Sequence, residues 1–324
     1  MVQRFPPAAA LLLCALLAVA GCVRFEDGEA AFREGDHATA FSKWQLLAKF
    51  GDAQAQNQLG WLYQNGIGTE PDAALAVYWY RKAADQGLAV AQTNLGIMYK
   101  DGLGVVRDPR EAARWFELAS RQGDAAALNN LGVLHDKGDG VPEDNRKAAE
   151  LFLRAAESGH PRGMSNLGLM YKAGEGVPQD AVTAVKWFRA AAEKQDREGL
   201  NNLAVMLDQG LGTAVDRKAA MELFERAARA GEAAAAFNLA LMHLRQSPPT
   251  TGAAHAEPAS GAAAGRNPLI DAYSWFNVAA SLGNGDAVSR RSEVASRLTA
   301  EQVAVAQSAS LDLMPPLAMP VATR

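Results

Sequence analysis

A leucine recurs at Leu59, Leu95, Leu131, Leu167, Leu203 and Leu239, each 36 residues after the last. The apolar positions around it follow helical spacing, not the alternation of a strand. Residues 124–137 read as one helical stretch and residues 108–120 as a second. Each unit therefore predicts two helices, here helix A and helix B. A unit copied six times predicts a stack in which each copy buries its apolar face on its neighbours.

The residues between the helices have physical reasons to recur. Glycine pairs separate A from B at Gly66/Gly68, Gly102/Gly104, Gly138/Gly140, Gly174/Gly176 and Gly210/Gly212. The first of each pair can end helix A in a left-handed conformation. Asp72, Asp108, Asp144, Asp180 and Asp216 follow. One stands at every predicted helix B start, so they read as N-caps and not as a ligand set. Helix B then carries an aromatic pair, as in Trp79-Tyr80, Trp115-Phe116, Trp187-Phe188 and Trp275-Phe276. Small residues match these, among them Ala83, Ala119 and Ala191, and Gly60, Gly96, Gly132 and Gly168 after the marker leucine. Large side chains facing small ones let helices interlock at close range.

In the second unit Ala91, Leu95, Gly96, Tyr99, Gly102, Gly104, Asp108, Ala112, Trp115, Phe116 and Ala119 form a pattern that resembles the Sel-1-like repeat. That family is a longer-looped relative of the tetratricopeptide repeat. The resemblance extends from about Gly28 to Leu311. It implies an all-α, right-handed α/α superhelical solenoid and a protein-binding adaptor role without a defined catalytic chemistry. The copies are not uniform. Gln195 opens the fifth unit where the others have glycine, and His135, Leu207 and His243 occupy the Tyr99 slot.

Composition divides the chain further. Residues 1–21 read as a signal peptide, with Arg4 ahead of an apolar run from Ala8 to Ala20 that is short for a membrane span. Residues 22–28 read as a short linker, 29–50 as an atypical helix pair, and 51–246 as the repeats. From Leu223 to Trp275 the spacing is 52 residues, not 36. The excess falls in 247–267, rich in Pro, Ala and Gly, which buries too little to offset the cost of ordering and reads as a flexible loop. Residues 268–313 read as the last repeat helix and closing helices, and 314–324 as a loose tail.

Val19-Ala20-Gly21-Cys22 resembles the lipobox of bacterial lipoproteins. That likeness implies cleavage before Cys22, lipidation of its thiol, and membrane attachment in the cell envelope. Val23, a non-aspartate after the cysteine, implies the outer membrane, facing the periplasm. Cys14 lies in the removed segment, so the mature chain holds one cysteine and no intramolecular disulfide.

The formal net charge is −4, with 32 Lys+Arg against 36 Asp+Glu. This offers no basic footprint for nucleic acid. No Cys-x-x-Cys, His-Glu-x-x-His, Gly-x-Ser-x-Gly or phosphate-binding loop occurs. The sequence therefore predicts no catalytic residue, no metal, no cofactor and no small-molecule substrate.

The candidate site is a surface. At 100° per residue, helix A groups three rows on one side. The first is Asn57, Thr93, Asn129, Ser165 and Asn201, and the second is Trp61, Ile97, Val133, Leu169 and Val205. The third includes Lys100, Asp136, Lys172 and Asp208. In tetratricopeptide-like stacks this side lines a concave groove, where amides can pair with a peptide backbone and an apolar row can hold its side chains. The competing reading packs the apolar row between helices. A further row, Asn94, Asn130, Asn166, Asn202 and Asn238, either joins adjacent units or touches a ligand.

The leading function is a lipid-anchored scaffold that binds a partner protein or peptide. The family likeness extends this to envelope assembly, secretion or polysaccharide export. The alternative is a cell-wall glycan-binding protein or envelope hydrolase.

Overall fold

The structure, a computed structural model, describes residues 23–247 and 267–315. Among the described residues there are sixteen helices and no strand, so the protein is all-α. Cys22 and residues 1–21, the stretch read from sequence as a signal peptide, lie outside the described residues, as do most of the 247–267 insertion and residues 316–324. The described chain forms two compact units, one ending at Ser158 and the other beginning at Gly159.

The first unit holds α1 (Phe25–Arg33), α2 (His37–Lys49), α3 (Ala53–Asn65), α4 (Ala73–Asp85), α5 (Ala89–Asp101), α6 (Pro109–Arg121), α7 (Ala125–Lys137) and α8 (Asn145–Glu157). Each packs against the next, giving a stack of helix pairs. Helix α1 begins at Phe25, inside the stretch read from sequence as a linker over 22–28. Two contacts explain the earlier start. Asp27 accepts the Arg24 backbone N–H at 2.9 Å. Gly28 lies against the Trp44 indole, where a Cβ would stand 2.4 Å from Nε1.

The second unit holds α9 (Pro161–Ala173), α10 (Ala181–Glu193), α11 (Arg197–Gln209), α12 (Arg217–Arg229), α13 (Ala233–Gln246), α14 (Pro268–Ser281), α15 (Gly285–Ala295) and α16 (Ala300–Leu313). Asn267 caps α14 by accepting from the Leu269 N–H, ahead of Pro268 at the first turn. Thr299 and Gln302 form a reciprocal capping box at α16. Helix α14 packs on α13, α15 and α16, which close the unit.

The aspartates expected as caps do cap. Asp72, Asp108 and Asp144 each accept a backbone N–H from the first turn of α4, α6 and α8. Asp180 and Asp216 do the same for α10 and α12. Gly102, at φ +71°, ends α5 in the left-handed region and returns its N–H to Met98. The second glycine of a pair serves a different end. A Cβ on Gly104 would sit 2.2 Å from the Ala73 carbonyl oxygen, so the loop lies directly on the preceding repeat's helix B.

The marker glycines meet rings. A Cβ on Gly96 would lie 2.5 Å from Phe116, and on Gly132, 2.6 Å from Phe152. In the second unit Gly168 meets Phe188 at 2.6 Å. In the pairs Trp79-Tyr80, Trp115-Phe116 and Trp187-Phe188 the second member is thus the core residue. Tyr80, Phe116 and Phe188 are fully buried, each burial contributing about 2–3 kcal/mol.

Candidate functional site

The three helix A rows separate by depth. In the first unit Asn57, Thr93 and Asn129 are 5, 3 and 6% exposed, and in the second Ser165 is fully buried and Asn201 half-buried. The first row therefore lies between repeats, which corrects its sequence-based placement on the open face. Its polar groups are used internally. Asn57 accepts from Asn94 Nδ2 at 3.0 Å, and Thr93 donates to Asp124 at 3.1 Å. Ser165 donates to Asp196 at 2.6 Å, and Asn201 accepts from Asn238 at 3.2 Å. Asn94 and Asn238 thus join neighbouring repeats, whereas Asn130 donates to Ala126 of its own helix.

The second row emerges toward solvent. Ile97, Val133 and Val205 are half-buried and Leu169 is 37% exposed. Trp61 is the exception at 7%, because α1 covers it and Phe32 meets it edge-on at 5.7 Å. Trp61 is thus a packing residue, not an open groove residue. In the third row Lys100, Asp136 and Lys172 are half-buried. Lys100 pairs with Asp101 at 3.1 Å. Gln64, also in this row, accepts from Tyr80 Oη at 2.8 Å, and burial pushes the Tyr80 hydroxyl pKa up.

Two cavities touch these rows. In the first unit a cavity of about 340 Å³ brings Lys100 and Val133 together with Arg107, Lys137 and Asp139. Arg107 and Asp139 form an ion pair. In the second unit Val205 and Asp208 line a small cavity with Asn238 and Arg245. Asp208 stands between Arg245 at 3.2 Å and Arg217 at 3.8 Å. At the opposite end of α13, Glu232 has its pKa raised, chiefly by burial, against the opposing pull of Arg197.

Sequence reasoning missed a third cavity, of about 640 Å³, in the first unit. Phe25, Phe32 and Trp44 line it, and their clustering ahead of the first repeat was the available signal. It also missed buried glutamines. Gln56 donates to Ala48 at 3.0 Å and accepts from Gln86 at 2.8 Å. Gln92 repeats this with Ala84 and Gln122 one repeat later. Among the described residues no three His, Cys, Asp or Glu side chains are grouped to hold a metal ion. No described helix is long and apolar enough to cross a membrane.

The repeats match a known family along most of their length. The Sel1 repeat matches residues 53–88, 89–124, 125–160, 161–196, 197–232, 233–250 and 261–284. The chain belongs to the Sel1 repeat family. Its Sel1 units resemble a Sel1 repeat protein from Oxalobacter formigenes, at 30% identity and a TM-score of 0.67. That match covers 79% of this chain and 96% of the other. They also resemble c5321, a protective antigen of uropathogenic Escherichia coli strains, at 30% identity and a TM-score of 0.64. Here 93% of this chain and 64% of the other are covered. No curated protein sequence matches the chain. Sel1 repeat proteins typically bind protein partners, and a Sel1 helix stack fits a protein-interaction scaffold.

Proposed function

We propose that this Sel1 protein is a lipid-anchored scaffold of the bacterial envelope that holds a partner protein or peptide on the open side of its first helices. One observation carries the reading: in the first unit Asn57, Thr93 and Asn129 are buried, while Ile97 and Val133 beside them stay partly open. Within the first unit this half-open apolar stretch, flanked by Lys100 and Asp136, suits an extended segment, whose side chains enter it and whose polar groups meet the flank. The lipobox-like Val19-Ala20-Gly21-Cys22 supports the anchor, and Val23, a non-aspartate after the cysteine, supports the periplasmic face of the outer membrane. The acyl chains on Cys22 would hold the repeats near the bilayer.

Crosslinking in intact cells followed by mass spectrometry tests the partner. Ile97→Glu and Val133→Glu should each abolish crosslinking while circular dichroism stays native. Unchanged crosslinking with a native spectrum would sink the groove. Loss of the fold in both variants would also count against it, because a buried row tolerates no unpaired charge. Cys22→Ser tests the anchor: the protein should leave the membrane fraction or stay unprocessed. A processed, membrane-bound Cys22→Ser protein would refute lipidation.

A further inference from the structure

The 640 Å³ cavity lies where α1 and α2 meet α3 and the start of α5. Its floor is aromatic and already assembled. Phe25 and Phe32 lie 5.8 and 5.9 Å from Trp44, centroid to centroid. The Trp44 indole N–H donates to the Phe25 carbonyl at 3.3 Å, and Gly28 lies against the same ring. Both phenylalanines are half-buried and line the cavity together with Trp44, which is itself only 2% exposed. Leu88 and Val90, also half-buried, form the apolar wall contributed by the next repeat.

The remaining wall is amide. Gln54, Asn57 and Gln58 line it. Asn57 is held in orientation by Asn94, which donates to its Oδ1. Its own Nδ2 stands 3.5 Å from Gln58 Oε1, a long and weak contact that leaves donor capacity over. Glu29 and Arg33, one turn apart on α1, place opposite charges at the rim, so the cavity selects neither sign. The volume falls within the roughly 300–1,000 Å³ of sites that enclose a compact ligand.

We propose that this cavity is the anchor subsite of the groove: it seats an uncharged stretch of the partner peptide, with an aromatic side chain on the Phe25–Phe32 floor. The side-chain amides of Gln54 and Gln58 pair with the peptide backbone, because each can donate and accept as a backbone does, while Asn57, whose oxygen is taken by Asn94, can add only a donor. The inference rests on the peptide-binding reading of the groove. The amide wall matches a peptide backbone, and glycan binding is the competing outcome of the test. Trp44, the broadest ring of the cluster, is 2% exposed against Phe25, Phe32 and Gly28, so the accessible aromatic surface is that of the two phenylalanines.

The test titrates the full chain with three probes: acetyl-Ala-Phe-Ala-amide, acetyl-Ala-Ala-Ala-amide and an N-acetylglucosamine tetramer. The readout is the side-chain amide resonances of Gln54, Asn57 and Gln58. The Phe peptide should move all three and bind at least about tenfold more tightly than the Ala peptide, because only it buries a ring. Val90→Glu should abolish the shifts. Gln58→Ala leaves the apolar walls in place, and should weaken binding several-fold even if Val90→Glu fails to fold. The proposal is overturned if the Phe peptide moves none of the three amides or binds no better than the Ala peptide. It is equally overturned if the sugar tetramer moves them and the peptide does not. Partner crosslinking lost in Val133→Glu but retained in a folded Val90→Glu protein would leave the groove standing and remove its anchor.

Discussion

Ser165 donates its hydroxyl to Asp196 at 2.6 Å, and the same carboxylate oxygen caps α11 by accepting the Gly199 N–H at 2.9 Å. A helix A side chain of one repeat therefore holds the cap of the next repeat's helix A. Thr93 does the same at Asp124, which caps α7 through the Ala127 N–H. Two further joints use paired amides, Asn94 on Asn57 and Asn238 on Asn201. Within each unit the hydroxyl–carboxylate joint and the amide joint follow one another. The repeat of 36 residues in sequence thus conceals two kinds of joint.

Removing the hydroxyl should weaken the joint without touching the open face. Ser165→Ala leaves a half-buried cap oxygen with one donor fewer, at a cost of about 1–3 kcal/mol. Thr93→Val should cost a similar amount. Urea denaturation would register both as lower midpoints, while partner crosslinking of the folded proteins stays unchanged. A midpoint unaffected in both variants would show that water replaces the hydroxyl at these joints.

Much of this was legible because the period is simple. The leucine step, the aspartate caps and the glycine breaks are local signals, and each acts where its spacing placed it. The depth of the first row was not legible. Helical periodicity places Asn57, Thr93 and Ser165 on one stripe with Ile97 and Val133, but it cannot say where the neighbouring repeat's edge falls on that stripe. Polar residues there suggested an open face, whereas each is buried against a partner 31 to 37 residues away in sequence. Trp61 misled for a related reason, since its cover comes from Phe32 of a helix pair that follows no repeat pattern. The start of α1 was missed because Gly28 reads as a linker residue when the Trp44 ring beneath it is unknown.

A methyl group at a marker glycine should be costly. A Cβ at Gly132 would stand 2.6 Å from Cε1 of the buried Phe152 ring. Gly132→Ala gains helix propensity, but the clash should outweigh it and leave a net loss of about 1–3 kcal/mol. Phe152→Leu, made in the Gly132→Ala background, should recover part of that loss by vacating the ring edge. A double-mutant cycle showing no coupling would place the strain elsewhere.

The Asp180 cap should respond to acid in a defined direction. Its carboxyl pKa is held below the ordinary 3.8, first by the Thr183 hydroxyl at 2.6 Å and then by the Thr183 backbone N–H. A depressed carboxyl stabilises the fold above its unfolded pKa, and that contribution is lost as pH falls through the folded value. Removing the hydroxyl in Thr183→Val should therefore raise the Asp180 pKa toward 3.8. Carboxyl carbon chemical shifts followed against pH would detect this. An unmoved titration would assign the depression to the backbone donors alone.

Gln195 should be replaceable by glycine with a gain in stability. It closes α10 at φ +60°, where Gly51, Gly87, Gly123, Gly159 and Gly231 hold the same slot in other repeats at φ between +83° and +96°. A side chain in the left-handed region costs about 1–2 kcal/mol. Glycine removes that cost but gains freedom in the unfolded chain, which returns about 0.4–1 kcal/mol. The side chain offers one compensation, since Gln195 Oε1 accepts from Arg226 Nη2 at 3.1 Å. That bond is exposed and should contribute little. The expected balance for Gln195→Gly is a gain of about 0.5–1 kcal/mol, visible as a higher urea midpoint at unchanged slope. Arg226→Ala measures the compensation on its own. If Gln195→Gly lowers the midpoint and Arg226→Ala lowers it equally, the glutamine is held in place by its arginine, and the left-handed turn costs less than its geometry implies.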